Sequence, residues 1–154
     1  IANEGPGGEN LLIKESDIPD LFPWTSKLVL GIAEIDDQHK ELVKYINQLY
    51  KAMKLKKGVQ KSGVILKNLA DYTVYHFSNE ENLFKKYGYP QTKTHLKAHE
   101  NLLEKVFQFK SQFEGGKATL SMELMSFLMD WLRSHILKTD KQYVPFLQKK
   151  MKKN

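Results

Sequence analysis

The sequence predicts an all-α fold, an antiparallel up-down-up-down four-helix bundle with an N-terminal arm. Four stretches repeat apolar side chains three and four residues apart, the period of a helix with one buried face. The connections between them are short, so successive helices should run antiparallel, and we expect no sheet. The chain has 154 residues, 41% of them hydrophobic, which suffices for one domain with an apolar core.

The chain before the first helix divides into two parts. Residues 1–20 are rich in glycine, proline and acidic side chains and have no sustained period, so we predict a linker or extended arm. From Leu21 the apolar content rises, and residues 24–32 are expected to lie across the bundle. We assign the domain to residues 21–150 and a basic tail to residues 151–154.

The first two helices are predicted at residues 35–56 and 59–87. The inward stripe of the first helix is Ile35, His39, Leu42, Ile46, Leu49 and Met53. The inward stripe of the second helix is Ile65, Leu69, Tyr72, His76, Glu80, Leu83 and Tyr87. Gly88 and Pro90 then end the second helix.

The third helix is predicted to start near Thr92 or Thr94, either of which is a suitable N-cap, and to end before Gly115 and Gly116. Its stripe is His95, His99, Leu102, Val106, Phe109 and Phe113. The fourth helix is predicted at residues 119–137, followed by a short element at residues 143–147. It turns Met125, Leu128, Leu132 and His135 inward.

Asp140 lies five residues after His135. In a continuous α-helix that spacing places two side chains about 140° apart. For both to face one site, the helix has to end between them. We therefore predict its end at residues 137–139.

All five histidines fall on the inward stripes, with at least one from each helix. His76 and Glu80 are four residues apart, as are His95 and His99, and each pair therefore lies one above the other on its helix. A single buried histidine is most often an ordinary core residue. Five of five, with carboxylates on the same faces, indicate a metal site.

The order of these residues resembles the hemerythrin family, and specifically its bacterial branch. The segments W-T-S-K-L-V-L-G-I-A-E-I-D-D-Q-H-K-E-L, G-Y-P before His95 and W-L-R-S-H-I around His135 resemble the same family. The resemblance covers residues 21–149 and includes all seven ligand positions. These positions are His39, His76, Glu80, His95, His99, His135 and Asp140.

This resemblance implies two iron ions with an oxo or hydroxo bridge, and reversible binding of molecular oxygen. It implies that His95, His99 and His135 hold one iron, and that His39 and His76 hold the other. Imidazole and carboxylate suit iron, which takes about six ligands, so two irons offer about twelve positions. Five histidines, two bridging carboxylates and one bridging oxygen fill about eleven of them, which leaves one position for oxygen.

Residues next to or one turn from the ligands are expected to wall the oxygen site and keep water out. These residues are Leu42, Phe77, Trp131, Leu132 and Ile136. Tyr143, three residues after Asp140, is a candidate partner of a ligand, although an ordinary half-buried tyrosine fits its position as well.

Two other classes of protein fit this sequence less well. A ferritin-like di-iron oxidase or ferroxidase uses Glu-x-x-His pairs, but the residues three before the histidines are Asp36, Thr73, Thr92, Leu96 and Leu132. A scaffold with a structural zinc needs about four ligands, fewer than the seven found here. We therefore expect oxygen binding rather than an enzyme.

Composition limits the partners and the compartment. The net charge is +6, but only Arg133 among the 24 basic residues is arginine, so we do not expect nucleic acid as a partner. With no cysteine, no signal peptide and no transmembrane segment in the sequence, we expect a cytoplasmic protein. The chain starts at Ile1 and not at methionine. This favours an oxygen-sensor domain joined to a receptor or transducer over a free-standing oxygen carrier or store.

Overall fold

A computed structural model describes residues 14–116 and 120–152 of the chain. Four helices form the bundle: α1 (Ala33–Lys54), α2 (Gly58–Tyr87), α3 (Thr92–Glu114) and α4 (Met122–Ser134). Helix α1 packs against α2 and α4, and α2 packs against α3. The described residues contain no strand. The predicted all-α four-helix bundle is confirmed.

The helix ends follow local backbone chemistry. Gly88 has a φ of 71°, in the left-handed region that favours glycine, and its N–H donates to the Phe84 carbonyl 2.7 Å away, which ends α2. The predicted threonine cap of α3 is wrong, because Gln91 occupies the N-cap position. The Thr92 hydroxyl instead donates to the Tyr89 carbonyl.

The start of α4 is capped by a side chain. Ser121 occupies the N-cap position, and its hydroxyl oxygen accepts from the backbone N–H of Leu124 at 3.2 Å. The start predicted at residue 119 lies outside the described residues.

The buried face of α2 is rotated from the predicted stripe. Ile65, Tyr72, Leu83 and Tyr87 are half-buried, whereas the fully buried side chains centre on Leu66, Leu69, Ala70, Thr73, His76, Phe77, Glu80 and Phe84. The physical reason is that α2 packs against α1 on one side and α3 on the other. Its core-facing direction therefore falls between these two neighbours.

Phe22 anchors the segment before α1 to the bundle. Asn47 on α1 exchanges two hydrogen bonds with the backbone of Phe22, both of 2.8 Å, and Phe22 is buried. Two short 3-10 turns, Glu15–Asp17 and Ser26–Leu28, lie on either side of this anchor. Residues 1–13 of the predicted arm lie outside the described residues.

The chain after α4 corrects the predicted helix end. It continues as a π-helical turn (His135–Thr139), a 3-10 turn (Asp140–Tyr143) and helix α5 (Val144–Lys152). The Asp140 N–H donates to the carbonyls of His135 and Ile136, and the first of these bonds spans five residues. Such a turn aligns residues five apart without ending the helix. Residues 151 and 152 of the predicted tail belong to α5, and residues 153–154 lie outside the described part.

No helix in the described residues is both long enough and apolar enough to span a membrane.

Candidate metal centre

The antiparallel arrangement gathers the seven predicted ligand residues at one end of the bundle. His39 lies near the start of α1, and His76 and Glu80 lie toward the end of α2. His95 and His99 occupy the first turns of α3, and His135 directly follows α4. Because neighbouring helices run in opposite directions, a start and an end meet at the same level.

The seven side chains are buried. Their exposed fractions range from 0% at Glu80 and Asp140 to 4% at His95. They form two groups in which the ligand atoms lie within 4.8 Å of one another, and both groups contain Glu80 and Asp140. One group adds His39, His76 and His135, and the other adds His95 and His99.

Each carboxylate faces histidines with both of its oxygens. Asp140 Oδ2 lies 2.8 Å from His39 Nε2 and 2.9 Å from His135 Nε2, whereas Oδ1 lies 3.0 Å from His95 Nε2. Glu80 Oε1 lies 2.9 Å from His99 Nε2, and Oε2 lies 3.5 Å from His76 Nε2. Both carboxylates are therefore placed between two sets of histidines.

His135 contacts the carboxylates on both sides of the cluster. Its Nε2 is 2.9 Å from the Asp140 oxygen that also contacts His39, and 3.9 Å from the Glu80 oxygen that also contacts His99. The ligand atom of His135 groups with those of His39 and His76, whereas its ring lies nearest to the ring of His99, at 5.4 Å between centroids. Its assignment to one iron stays a prediction.

The charges of the cluster depend on one another. Burial acts to raise the pKa of Glu80, but His76 and the contacts with His95 and His99 outweigh it and lower that pKa to about 2. Burial likewise opposes ionisation of Asp140, yet the charge of His135 and the nearby histidines hold its pKa well below the usual range. Both carboxylates are therefore anionic at neutral pH.

The histidines respond in opposite ways. Burial acts to lower the pKa of His95, but its contacts with Asp140 and Glu80 raise that pKa to about 9. For His39, burial prevails over Asp140 and lowers the pKa. The metal-free cluster therefore holds protons at neutral pH that a cation has to displace.

Unpartnered polar atoms show that the cluster fits a metal. Among the described residues, Nε2 of His76, His95, His99 and His135 is buried without a hydrogen-bond partner, as are Glu80 Oε1 and Asp140 Oδ1. Nε2 of His95, His99 and His135 lies 2.9–3.0 Å from a carboxylate oxygen but makes no hydrogen bond, so these pairs are held by charge alone. These donor atoms converge on one place, and cations bound by imidazole and carboxylate satisfy them all at once.

Apolar side chains surround the cluster, and all five predicted pocket residues are buried: Leu42, Phe77, Trp131, Leu132 and Ile136. The Phe77 ring stacks on His99 with 3.7 Å between ring centroids and 3° between ring planes. Trp131 lies nearly parallel to the His135 ring. Their role in oxygen binding stays a prediction.

Tyr143 is fully buried and donates a hydrogen bond of 2.5 Å to Glu80 Oε2. The interpretation of Tyr143 as an ordinary half-buried tyrosine is therefore wrong. Burial, followed by the charges of Glu80 and Asp140, raises the pKa of Tyr143 well above its usual value. The hydroxyl therefore keeps its proton and acts as a donor to the carboxylate.

Two residues at the centre were missed by the sequence prediction. Gln38 Oε1 lies 2.7 Å from His76 Nδ1, and Glu81 Oε2 lies 3.0 Å from His99 Nδ1. Each adjoins a predicted ligand in the chain, His39 or Glu80. In the sequence, only their position as polar residues directly beside a predicted ligand indicated these contacts.

The fold and the site together define a class, a four-helix bundle with a buried cation-binding cluster of histidines and carboxylates. The sequence model of the Hemerythrin HHE cation binding domain matches residues 30–147. The chain belongs to the hemerythrin family.

Individual relatives agree with this membership. The bacteriohemerythrin of Pseudomonas aeruginosa strain LESB58 is 36% identical over 128 residues, which cover 83% of this chain and 82% of that protein. The bacteriohemerythrin of Clostridium acetobutylicum is 30% identical and covers 80% of this chain and 99% of its own length. A crystal structure of wild-type hemerythrin matches with a TM-score of 0.77 and 32% identity, over 82% of this chain and 98% of that chain.

Proposed function

We propose that this chain binds molecular oxygen reversibly at a non-haem di-iron centre. The observation that carries the proposal is the convergence of buried, unpartnered histidine nitrogens on two anionic carboxylates. Membership of the hemerythrin family supports iron as the metal. The bacteriohemerythrin relatives support oxygen as the ligand, since their sequences match 80–83% of this chain.

The seven residues have distinct roles in this proposal. Glu80 and Asp140, each of which faces histidines of both groups, would hold both irons. His95, His99 and His135 would hold one iron, and His39 with His76 would hold the other, where the smaller number of ligands would leave a position for oxygen. When bound, the two irons with their oxo or hydroxo bridge would supply the redox chemistry that oxygen binding requires.

The remaining side chains protect and orient the site. Leu42, Leu132 and Ile136 have exposed fractions of 0% and keep bulk water away from the open position. Phe77 fixes the ring plane of His99 by stacking on it. The Tyr143 hydroxyl holds Glu80 by donating to Oε2, which orients the other carboxylate oxygen, Oε1, toward His99.

We propose binding rather than catalysis. The cluster contains five histidines and two carboxylates, whereas the ferritin-like di-iron enzymes use carboxylate-rich sites. Two biological uses fit the site: oxygen carriage or storage, and oxygen sensing for a receptor or transducer domain. In either use we expect the reducing cytoplasm as the compartment, since the sequence contains no cysteine.

The test is to reconstitute the metal-free chain anaerobically with ferrous iron and to cycle it between oxygen and argon. We expect about two irons per chain and an absorption change that reverses when oxygen is removed. Incorporation of a single zinc, or iron that is oxidised once and does not return, contradicts the proposal. Sustained turnover of ferrous iron under air identifies the ferroxidase alternative.

A further inference from the structure

Two of the ligand histidines contact a further side chain through Nδ1, the ring nitrogen that faces away from the cluster, and these two side chains differ in charge. Behind His99, the Glu81 carboxylate lies with Oε2 3.0 Å from Nδ1. Behind His76, the Gln38 amide lies with Oε1 2.7 Å from Nδ1. Glu81 reaches from α2 to α3, and Gln38 reaches from α1 to α2, so each contact also joins two helices.

These contacts determine which ring nitrogen carries the proton. A neutral imidazole has one N–H and one lone pair. Both oxygens behind the rings accept, so Nδ1 of His76 and of His99 is the donor. The lone pair of each ring then lies on Nε2, which faces Glu80 and has no hydrogen-bond partner among the described residues.

The two contacts are not shared by the whole cluster. Nδ1 of His39 and of His135 is buried without a hydrogen-bond partner in the described part of the chain. The His99 ring is fixed twice, by Glu81 at its edge and by Phe77 stacked on its face. Glu81 is 31% exposed, so its carboxylate keeps access to water.

We infer that Glu81 and Gln38 are positioning residues that make the two metal positions electronically unequal, with the stronger donor at His99. An anionic acceptor draws the Nδ1 proton more strongly than a neutral amide and raises the basicity of the metal-facing nitrogen. A metal bound at His99 would therefore be favoured in its higher oxidation state, whereas a metal bound at His76 would receive less electron density. This inference rests on the proposed di-iron site.

Four variants of the whole chain test it. Glu81→Gln keeps a hydrogen-bond acceptor and removes the charge, whereas Glu81→Ala removes both. Gln38→Glu places a charge behind His76. Glu100→Gln is the matched control, because it removes the charge of an exposed glutamate that directly follows His99 in the chain.

The measurements are the affinity for ferrous iron by anaerobic competition with a chelator, the reduction potential of the loaded centre, and urea unfolding of the metal-free chain. Glu81→Ala should lose about 10- to 100-fold in affinity. Glu81→Gln should keep most of the affinity but raise the reduction potential, and Gln38→Glu should lower it. The metal-free Glu81→Gln variant should unfold at the same urea concentration as the metal-free wild type, which distinguishes a positioning role from a role in fold stability.

The inference is overturned if both Glu81 variants match Glu100→Gln in affinity and in potential while the wild type binds two irons. It is also overturned if Gln38→Glu leaves the potential unchanged. If the wild type itself fails to bind a pair of irons, the proposed function fails, and this inference fails with it.

Discussion

At the residue scale, the two carboxylates differ from the histidines in what each side chain touches. Glu80 and Asp140 each contact histidines from both groups of the cluster. His39 Nε2 contacts Asp140 alone among the described ion pairs. The position of a residue in the cluster therefore predicts how far the effect of its removal spreads.

Removal of a bridging carboxylate should disrupt the whole centre. We expect Glu80→Ala and Asp140→Ala to reduce iron content toward zero and to lower the melting temperature of the iron-loaded chain, because metal binding contributes to folding. His39→Ala should weaken only the oxygen-binding position. Iron analysis and oxygen difference spectra check this. Two irons and normal spectra in all three variants would falsify the ligand assignment.

Leu132 is predicted to guard the open position. It is fully buried and lies three residues before His135 on the inward face. Leu132→Ala should cost about 2–5 kcal/mol through the cavity that it leaves. It should also speed the irreversible loss of oxygen binding, because water enters the site, while iron content stays unchanged.

The matched control is Leu128→Ala, one turn farther from the cluster and also buried. Both variants lose a leucine side chain from the core, so both should lose stability. The decay of the oxygen-dependent absorption over time separates them. Equal decay in the wild type and in Leu132→Ala would show that this leucine does not guard the site.

At the scale of the secondary-structure elements, the π-helical turn His135–Thr139 decides whether Asp140 reaches the site. The bond from the Asp140 N–H to the His135 carbonyl spans five residues, so the two side chains meet at 2.9 Å. In a regular α-helix, four residues apart is the spacing that shares a face. The π turn accommodates one residue more than this spacing.

This interpretation predicts unequal effects of a deletion and an insertion. Deletion of the exposed Lys138 shortens the spacing to four, which an α-helix accommodates, so iron binding should survive. Insertion of one alanine after Lys138 lengthens the spacing to six and rotates Asp140 away, so iron binding should be lost. Circular dichroism should report a helical chain in both cases. Iron binding that is lost on deletion but kept on insertion would contradict the role of the turn.

At the scale of the whole molecule, the bundle concentrates its buried charge at one end. In the metal-free state, protonated histidine balances the negative charge of the carboxylates. Interactions with the carboxylates raise the pKa of His95 to about 9, while the pKa of Glu80 is lowered to about 2. Because its pKa is raised, His95 stabilises the metal-free fold, and this contribution is complete at a pH below 6.5, the usual pKa of histidine. That contribution is lost as the pH rises through about 9.

The iron-loaded and metal-free forms should therefore respond differently to pH. Iron binding displaces the His95 proton, so affinity for ferrous iron should rise from pH 6.5 to about 9 and then level off. Over the same range the metal-free chain should lose stability. Melting temperatures of the two forms, measured anaerobically, should diverge as the pH rises. A constant difference between them across this range would contradict the proton release.

Much of this molecule follows from the sequence by itself. The period of the apolar residues determined the four helices, and Gly88 determined the end of α2, because only glycine adopts the left-handed backbone there at little cost. The four-residue spacings of His76 with Glu80 and of His95 with His99 determined which residues share a face. These features depend on local helix geometry, which is the same in every α-helix.

Only the tertiary structure decided the rest. The π turn that aligns His135 with Asp140, the direction that α2 turns to the core, and the partners Gln38 and Glu81 were not predictable from spacing. A wider helical turn and a regular one are compatible with the same residues, and packing selects between them. The ring contacts join different helices, so they exist only once α1, α2 and α3 lie side by side.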